Sequence, residues 1–500
     1  MRLSRHFAFC LLLLLPLGAR ADDIGPAQAA ALQQQLKDWL ASLLGPTIIL
    51  PDLALRITGE GDHYLLTVPI PGLDSPANGV AVTASVKPLD GGRWSIDALN
   101  LPDAANFTVT MPDAVDKTAG GPTKVEMTVG KQDSHAVIDP ALTTPSTMQI
   151  DLHDLAVTTD NPTQHQEQKI DRYAVATTLQ PAADGRLALN MDATMEGWKS
   201  AARVNGEAAV AFGAQKLHAT GKIDGVSRER VTGLLTAISA LIGALPPDLM
   251  DKDTTDLPPA AREQLRTVIE SLSDVLNSVR LEETVDGLQV EVAGMGGLAM
   301  QKLLVGFGAE APAGRLHIWF DIGVDGLDTP TLPPSMTAYL PKHLALRPSL
   351  SGVQTADLRQ LALDAAKPDA DDKLLDPDIA AICAHGGVDL GLETFAFDLG
   401  PAKIEGVGHL VVLSPKTWRG EARLSATGLD ELTAQARSNP ELQQALPVLL
   451  MMRGMAKPDG QKLVWNIASE GGSVTVNGVD LSALGGDKPT AKPPGQPRKR

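Results

Sequence analysis

Hydrophobic and polar residues alternate along most of this chain, and the alternation limits the folds open to it. Between Ile48 and about Asp224, apolar side chains recur at every second position, for example at Tyr64, Leu66 and Val68. The same period returns at residues 316 to 324 and at residues 388 to 399. A period of two puts alternate side chains on opposite faces of a strand, whereas a helix repeats every 3.6 residues. The pattern predicts antiparallel strands with one apolar and one polar face.

Turn-forming residues interrupt these alternating stretches. Asp90–Gly92 precedes one stretch, Asp184–Gly185 precedes another, and Asp286–Gly287 lies inside a third. Asp-Gly and Gly-Gly pairs readily adopt the left-handed conformations that tight hairpin turns require. We therefore expect a meander of antiparallel hairpins, with a turn at each of these three places.

Three segments in the first 280 residues have a helical period instead. One begins after Asp22 and ends at Gly45-Pro46. Two more carry apolar stripes over residues 231–242 and 265–279, and prolines at 246, 247, 258 and 259 separate them. Apolar residues spaced by three and four predict amphipathic helices. We expect the second and third to form a helical hairpin that lies on the apolar face of the sheet.

Further helices are predicted in the second part of the chain. One runs from Thr355 to Ala366, and the acidic, proline-containing stretch Lys367–Asp378 after it is typical of a surface linker. Others lie within residues 429–455, where the stretch from Leu442 to Met455 contains Pro447. A proline inside a helix removes one hydrogen bond and bends the axis, so we expect a kink there.

Two segments of the chain resemble each other. In residues 216–234 and 416–432 a strand leads through a glycine, Gly225 or Gly428, into a helix. A second helical stretch and a closing hairpin follow in both cases. We interpret this as a two-fold internal duplication spaced by about 200 residues, and chance similarity between amphipathic segments is the alternative. The mature chain would then divide into residues 22–280 and residues 281–486.

The first 21 residues have the three parts of a secretory signal peptide. Arg2 and Arg5 form a basic start, residues 7–17 are apolar, and Ala19 and Ala21 provide small residues for cleavage. The apolar stretch is shorter than the roughly 20 residues that a membrane-spanning helix needs. We expect cleavage after Ala21, a periplasmic location and no transmembrane segment in the mature chain. Residues 487–500, rich in lysine, arginine and proline, are expected to form a disordered basic tail.

The chain is acidic and poor in aromatic residues. Its formal net charge is −17, and removal of the signal peptide takes away three arginines and no acidic residue. Such a surface argues against nucleic acid as a partner, because phosphates require a basic binding surface. Hydrophobic residues make up 43% of the chain but aromatic residues only 3%. The apolar faces are therefore built mainly from Leu, Val, Ala and Ile.

One cysteine remains after signal cleavage, so no intramolecular disulfide is expected. This residue, Cys383, lies two positions before His385. A cysteine nucleophile with a nearby histidine base is one interpretation of the pair. The other is a small, partly apolar side chain packed beside Ile382. Because neighbours in sequence need not be neighbours in space, we favour the packing role.

Other candidate sites lack residues that their chemistry requires. Gly294–Ala299 fits a loose dinucleotide-binding pattern, but its flanks are antiparallel strands rather than a strand and a helix. The aspartates within residues 251–256 and 369–372 lack the glycine and glutamate of a calcium loop. His153 and His165 match no zinc spacing. We expect no catalytic residue, no metal and no cofactor.

Several short phrases resemble a known family. They are the helix within Ala27–Leu44, the stretch Tyr64–Leu73, the glycine-led helices and the closing stretch Val474–Val479. Together they resemble a family of proteobacterial periplasmic proteins, the domain of unknown function 2125, and more distantly the AsmA-like envelope proteins. The resemblance implies a periplasmic location and a long curved sheet. It implies no catalytic residue, and we expect the chain to differ from AsmA-like proteins in keeping no membrane anchor after signal cleavage.

The expected protein is of the α+β class. Its extended, curved, mainly antiparallel sheets of about 16 to 20 one-sided strands are covered by amphipathic helix pairs. If part of the apolar face stays uncovered and forms a groove, it would suit acyl chains. We therefore expect a non-enzymatic periplasmic protein that binds or shuttles lipid. The alternative is a scaffold that binds another envelope protein through a sheet edge or a helix groove. A hydrolase with dispersed catalytic residues is a third hypothesis.

Overall fold

The computed structural model describes residues 25–30, 32–34, 55–69, 81–90, 93–110, 122–139, 145–182, 185–245, 257–272, 277–329, 331–332, 337, 339–367, 372–414, 417–471 and 473–481. The predicted signal peptide, the basic C-terminal tail and the aspartates at 251, 253, 256, 369 and 371 lie outside these residues. Of the first predicted helix, residues 26–30 and 32–34 are described, and they are helical.

The described residues are mainly antiparallel β-structure, as the alternation predicts. They form one sheet of 22 strands. These are β1 (Arg56–Glu60), β2 (His63–Pro69), β3 (Ala81–Pro88), β4 (Trp94–Asn100), β5 (Ala104–Thr110), β6 (Pro122–Thr128), β7 (Gln132–Ile138), β8 (Pro145–Asp160), β9 (Gln164–Pro181), β10 (Leu187–Val204), β11 (Glu207–Val226), β12 (Ser278–Val292), β13 (Gly296–Glu310), β14 (Arg315–Asp325), β15 (Pro341–Gln354), β16 (Val388–Leu399), β17 (Ala402–Ser414), β18 (Thr417–Thr427), β19 (Lys457–Asp459), β20 (Lys462–Glu470), β21 (Ser473–Val476) and β22 (Val479–Asp480).

The strands follow a long meander. Strands β1 to β4 pair in order, β4 pairs with β7, and β7 pairs with one half of β8. The hairpin of β5 and β6 joins the other half of β8 through β6. From β8 to β18 every strand is antiparallel to the next one in the chain, and β18 then pairs with β20. The result is an open, curved sheet. The predicted boundary at residue 280 falls within β12, and the division into two halves stays a prediction.

The helices lie in the connections between strands. They are α1 (Arg228–Ala244) and α2 (Pro259–Leu272) between β11 and β12, α3 (Thr355–Ala365) and α4 (Asp372–Ala384) between β15 and β16, and α5 (Leu429–Ser438) and α6 (Leu446–Met455) between β18 and β19. The predicted helix at 355–366 is confirmed as α3, and the helices predicted within 429–455 are confirmed as α5 and α6.

Three local predictions are wrong. Val279 does not continue the second helical stripe, because it pairs with strands on both sides and so belongs to β12. Residues 372–378 are not a linker but the first turns of α4, with Pro377 inside the helix. Pro447 does not kink a helix, because it lies in the first turn of α6, where a missing N–H costs no internal hydrogen bond. The error at Val279 arises because one apolar residue at the boundary of two elements fits both a helical spacing and the alternation of a strand.

Asp286–Gly287 is not a turn either, and it belongs to a row of kinks that crosses the sheet. Gly287 lies inside the continuous strand β12 with a φ of 63°. Asp154 in β8 and Gly197 in β10 have φ values of 53° and 65°, and Gly326, just after β14, has 60°. These four positive-φ residues, which we call the kink row, occur on alternate strands. Residues in this left-handed region interrupt the regular pleat of a strand.

At the kink row the spacing between successive apolar residues changes from two to three, yet the apolar side chains stay on the same face of the sheet. In β10 the apolar side chains stand two residues apart up to Met195, but the next is Trp198. The facing residues on β11 are Leu217 and Ala214, which show the same three-residue step. Each of these two strands thus contains one additional residue at the kink, and the two additional residues lie opposite each other. The apolar side chains before and after the kink therefore stay on the same face of the sheet.

The fully buried side chains are concentrated at the two ends of the sheet. At the N-terminal end, the first helix and strands β1 to β4 and β7 enclose Leu32, Tyr64, Trp94, Ile96 and Ile138. At the C-terminal end, α5 and α6 pack over β17, β18 and β20, with Leu429, Leu432 and Trp465 in the core. In between, the buried clusters are small and centre on Leu179 with Leu187, and on Ala214 with Val285 and Leu288.

The remaining helices do not confirm the predicted covering of the sheet. α1 packs mainly against α2, and α2 also contacts α3. An odd number of antiparallel pairings separates β11 from β18, so α1 and α5 leave the sheet at opposite ends of the strands. Covering of the apolar face by α1 and α2 and the internal duplication both stay predictions.

We expect Gly197→Ala to destabilise the sheet more than Gly206→Ala. Both glycines have positive φ, but a Cβ at 197 would lie 1.9 Å from Asp171 Oδ2, whereas a Cβ at 206 has no heavy atom within 4 Å. The left-handed conformation alone costs an alanine about 1 kcal/mol, and displacement of Asp171 should raise the loss at 197 to at least about 2 kcal/mol. Urea unfolding followed by circular dichroism measures both losses. Equal losses would show that neighbouring strands do not constrain the kink row.

Candidate functional site

One face of the sheet is apolar from β9 to β18, and we call it the apolar face. The strand registers carry its rows across the sheet, so that Leu281, Phe307 and Phe320 stand side by side on β12, β13 and β14. Its residues are Tyr173, Val175, Leu179, Leu189, Met191, Ala193, Met195, Trp198, Phe212, Ala214, Leu217, Ala219, Ile223, Val279, Leu281, Val285, Leu288, Val290, Leu298, Met300, Leu303, Val305, Phe307, Ile318, Phe320, Ile322, Val324, Leu344, Leu346, Leu350, Leu390, Leu392, Phe395, Phe397, Ile404, Leu410, Ala422 and Leu424.

The middle of the apolar face is exposed. Leu281, Val305, Phe320, Ile322 and Leu390 have 42%, 49%, 49%, 40% and 42% of their surface accessible. The first four are neighbours in the registers of β12, β13 and β14. Isolated exposed apolar residues are normal, but a contiguous exposed patch marks a surface that interacts with something apolar. This patch is the candidate functional site.

The opposite, polar face is better covered at the same place. Trp319 lies next to Phe320 in β14 and points to the polar face, yet only 8% of it is exposed. The imidazole of His317 stacks on its ring with a centroid distance of 4.9 Å, and the guanidinium carbon of Arg347 lies 5.4 Å from the ring centroid. In this strand the side chain on the polar face, Trp319, is buried, whereas Phe320 on the apolar face is half exposed.

Charges on the polar face compensate one another across strands. Arg172 donates two hydrogen bonds to Asp151, at 2.9 and 2.8 Å, and these bonds lower the pKa of the Asp151 carboxyl. Arg347 Nε lies 3.2 Å from a carboxylate oxygen of Glu393. Water and salt screen such partly exposed pairs, so each contributes little to stability. Their main effect is to keep this face polar and paired.

The structure also contains a cavity, which lies on the polar side. Its volume is about 370 Å³, and its lining includes Asn190, Asp192, Thr220, Lys222 and Arg280. Asn190 and Lys222 face each other on β10 and β11, and Arg280 follows on β12. These five side chains are polar or charged, and they lie on the face opposite the exposed apolar patch. The acyl-chain groove stays a prediction. The apolar site is an exposed surface.

Cys383 and His385 do not form the dyad considered from the sequence. Cys383 lies in the last turn of α4, and side chains two residues apart on a helix project in different directions. His385 Nδ1 lies instead 2.7 Å from Asp357 Oδ2, on α3. The histidine thus joins two helices. Sequence reasoning missed Asp357, because it lies 28 residues before His385, in helix α3, and no local sequence pattern connects the two residues.

The glycine motif and the two histidines lie on strands or in the turn between β12 and β13. Gly294 and Gly296, with φ values of 75° and 98°, form the tight turn between β12 and β13, which excludes a dinucleotide-binding helix at this point. His153 lies 3.3 Å from Asp151, and His165 lies between Asp160 and Glu167, whose hydrogen bonds raise the pKa of the imidazole. Among the described residues, no group of three or more potential ligands could hold a metal ion.

Known proteins provide no further assignment. No family model matches the chain, and no curated protein matches it. The resemblance to the domain of unknown function 2125 and to AsmA-like proteins therefore stays a prediction. In the part of the chain that the structure describes, no helix is long and apolar enough to cross a membrane.

Replacement of His385 by glutamine should leave the reactivity of Cys383 unchanged. A thiol activated by a histidine loses reactivity when the base is removed, typically by about tenfold or more. Because the Cys383 and His385 side chains project in different directions, we expect rates within about twofold of each other. Iodoacetamide labelling, followed by mass spectrometry of the peptide that contains Cys383, measures the rate. A tenfold slower reaction in the variant would restore the nucleophile hypothesis.

The contact between α3 and α4 should depend on pH. Burial and the neighbouring carboxylate of Asp364 raise the pKa of Asp378. The protonated Asp378 side chain therefore contributes its full stabilisation below the pKa that this aspartate has in the unfolded chain, about 4. The stabilisation is lost as the pH rises through the raised pKa of the folded state. Asp378→Asn cannot ionise, so its melting temperature should fall less than that of the wild type between pH 4 and pH 8. Parallel pH profiles would contradict the raised pKa.

Proposed function

We propose that this protein is an exported, non-enzymatic protein of the bacterial cell envelope that binds and carries lipid through the periplasm. The observation that supports the proposal is the exposed apolar patch in the middle of the sheet. Phe320 alone leaves about 100 Å² of ring surface in water, and covering it would yield about 2 to 3 kcal/mol. Several neighbouring side chains are exposed to the same degree. A ligand that covers them gains affinity from burial alone.

The chemistry of the patch favours acyl chains over a protein partner. Phe212, Phe307, Phe320, Phe395 and Phe397 lie on the apolar face, and they are five of the chain's eight phenylalanines. Phenylalanine and aliphatic side chains bring no hydrogen-bonding groups. Protein interfaces also use phenylalanine, but their strongest contributors are tyrosine, tryptophan and arginine, which combine apolar area with a polar end. The exposed apolar side chains Leu281, Val305, Phe320 and Ile322 carry no such polar end, and they suit the alkyl part of a lipid.

The direct test is native mass spectrometry of the protein purified from its own periplasm. We expect co-purified phospholipid or another lipid with acyl chains. A clean apoprotein that takes up no lipid from vesicles would overturn the proposal.

Val305→Asp should reduce lipid uptake, and Val407→Asp provides a matched control. The two valines have 49% and 52% of their surface exposed, but Val305 lies on the apolar face and Val407 on the opposite face. A carboxylate placed under an acyl chain loses hydration without gaining a partner, which should weaken binding by about tenfold or more. Uptake of a phospholipid with a fluorescent acyl chain measures the effect. Equal uptake by the two variants would contradict a binding site on the apolar face.

A scaffold function is the second candidate, and helix α6 is the observation that favours it. Leu449, Met452 and Met455 pack into the C-terminal core, but Val448 and Met451 on the other side of α6 are exposed. A helix that is apolar on both sides is normally buried. Purification with one stoichiometric protein partner and no lipid would favour this candidate over lipid binding.

A further inference from the structure

Glu283 is a charged residue in the interior of the apolar face. Apart from the first and last two residues of each strand, no other described residue on this face of β9 to β18 is charged. It stands between Ala219 of β11 and Val305 of β13. Along its own strand, Leu281 and Val285 point to the same face. The carboxylate is thus surrounded by apolar side chains in all four directions within the sheet.

The position of Glu283 is open rather than covered. Glu283, Leu281 and Val305 are all exposed. Any ligand that lies on the exposed patch must therefore pass over or next to the carboxylate. Burial of an uncompensated charge opposes binding, so an occupant without a suitable group would be penalised at this point.

Glu283 also differs from its neighbours in having no partner. Glu282, the preceding residue on the polar face, pairs with Arg280 at 3.2 Å. No ion pair or hydrogen bond joins the side-chain carboxylate of Glu283 to another residue of the described part of the chain. Because the chain as a whole carries a net charge of −17, the surrounding field also favours a cation at this place. The missing partner is a positive group.

We propose that the apolar face selects amphiphiles that combine an alkyl chain with an ammonium group, and that Glu283 receives the ammonium. This inference rests on the proposed function, because the alkyl chain must first bind to the exposed patch. An ammonium next to the carboxylate forms a charge-assisted hydrogen bond in partly desolvated surroundings, where the interaction is stronger than in water. An anionic head group at the same point meets a like charge. Amine-bearing lipids are therefore preferred over anionic ones.

The test uses three probes with the same twelve-carbon chain, each below its aggregation concentration. They are dodecylammonium, dodecanol and dodecanoate, and calorimetric titration of the full mature chain measures their dissociation constants. We expect dodecanol to bind, and dodecylammonium to bind at least about tenfold more tightly than dodecanoate. In Glu283→Gln the ratio should fall to about threefold or less, since only the general acidity of the chain remains.

Glu282→Gln is the matched control. It removes the same charge from the adjacent position on the opposite face, so it changes the net charge equally but leaves Glu283 in place. The control should keep the tenfold preference. If dodecanol binds and both variants show the same ratio as the wild type, the role of Glu283 is wrong while the lipid-binding proposal stands. If dodecanol does not bind at all, both proposals fail.

Discussion

The phase of the strand alternation is the constraint on which the structure depends. Because side chains alternate with a period of two, a one-residue slip in any strand would move its apolar residues to the other face. The kink row adds a residue to neighbouring strands at one level, as the steps from Met195 to Trp198 and from Leu217 to Ala214 show. These two paired strands shift together. The apolar face therefore continues through the interruption, and long strands can stay paired on both sides of it.

Continuity of the apolar face creates a need for covering, and in the described part of the chain the buried clusters that meet it are largest at the two ends of the sheet. The N-terminal strands fold over the first helix, and α5 and α6 cover the C-terminal strands. The connections that carry α1 to α4 emerge at the strand ends, where these helices pack mainly on one another. Among the described residues, side chains in the middle of the face are exposed. That exposed surface is where a ligand would add the largest burial, which links the architecture to the proposed function.

Several site features could be predicted from the sequence and others could not. The one-sided character of β14 follows from the alternation of Leu316, Ile318 and Phe320 alone. The exposure of Phe320 does not, because it depends on the absence of a covering layer in three dimensions. Glu283 also escapes sequence reasoning. In a strand with an extra residue at Gly287, simple alternation over the whole strand assigns Glu283 and Leu288 to opposite faces, although they share one.

The amino-acid sequence by itself determined the class of fold. A period of two specifies strands, glycines and prolines specify where most elements end, and the spacing of leucines in α3 or α6 specifies amphipathic helices; these are local properties of the chain. Tertiary structure decided which apolar residues are covered, which charged groups are paired and where the helices rest. His385 finds Asp357 rather than Cys383, and Glu282 has a partner while Glu283 has none. Such outcomes depend on strand register and on packing between distant segments, and neither is encoded in a local pattern.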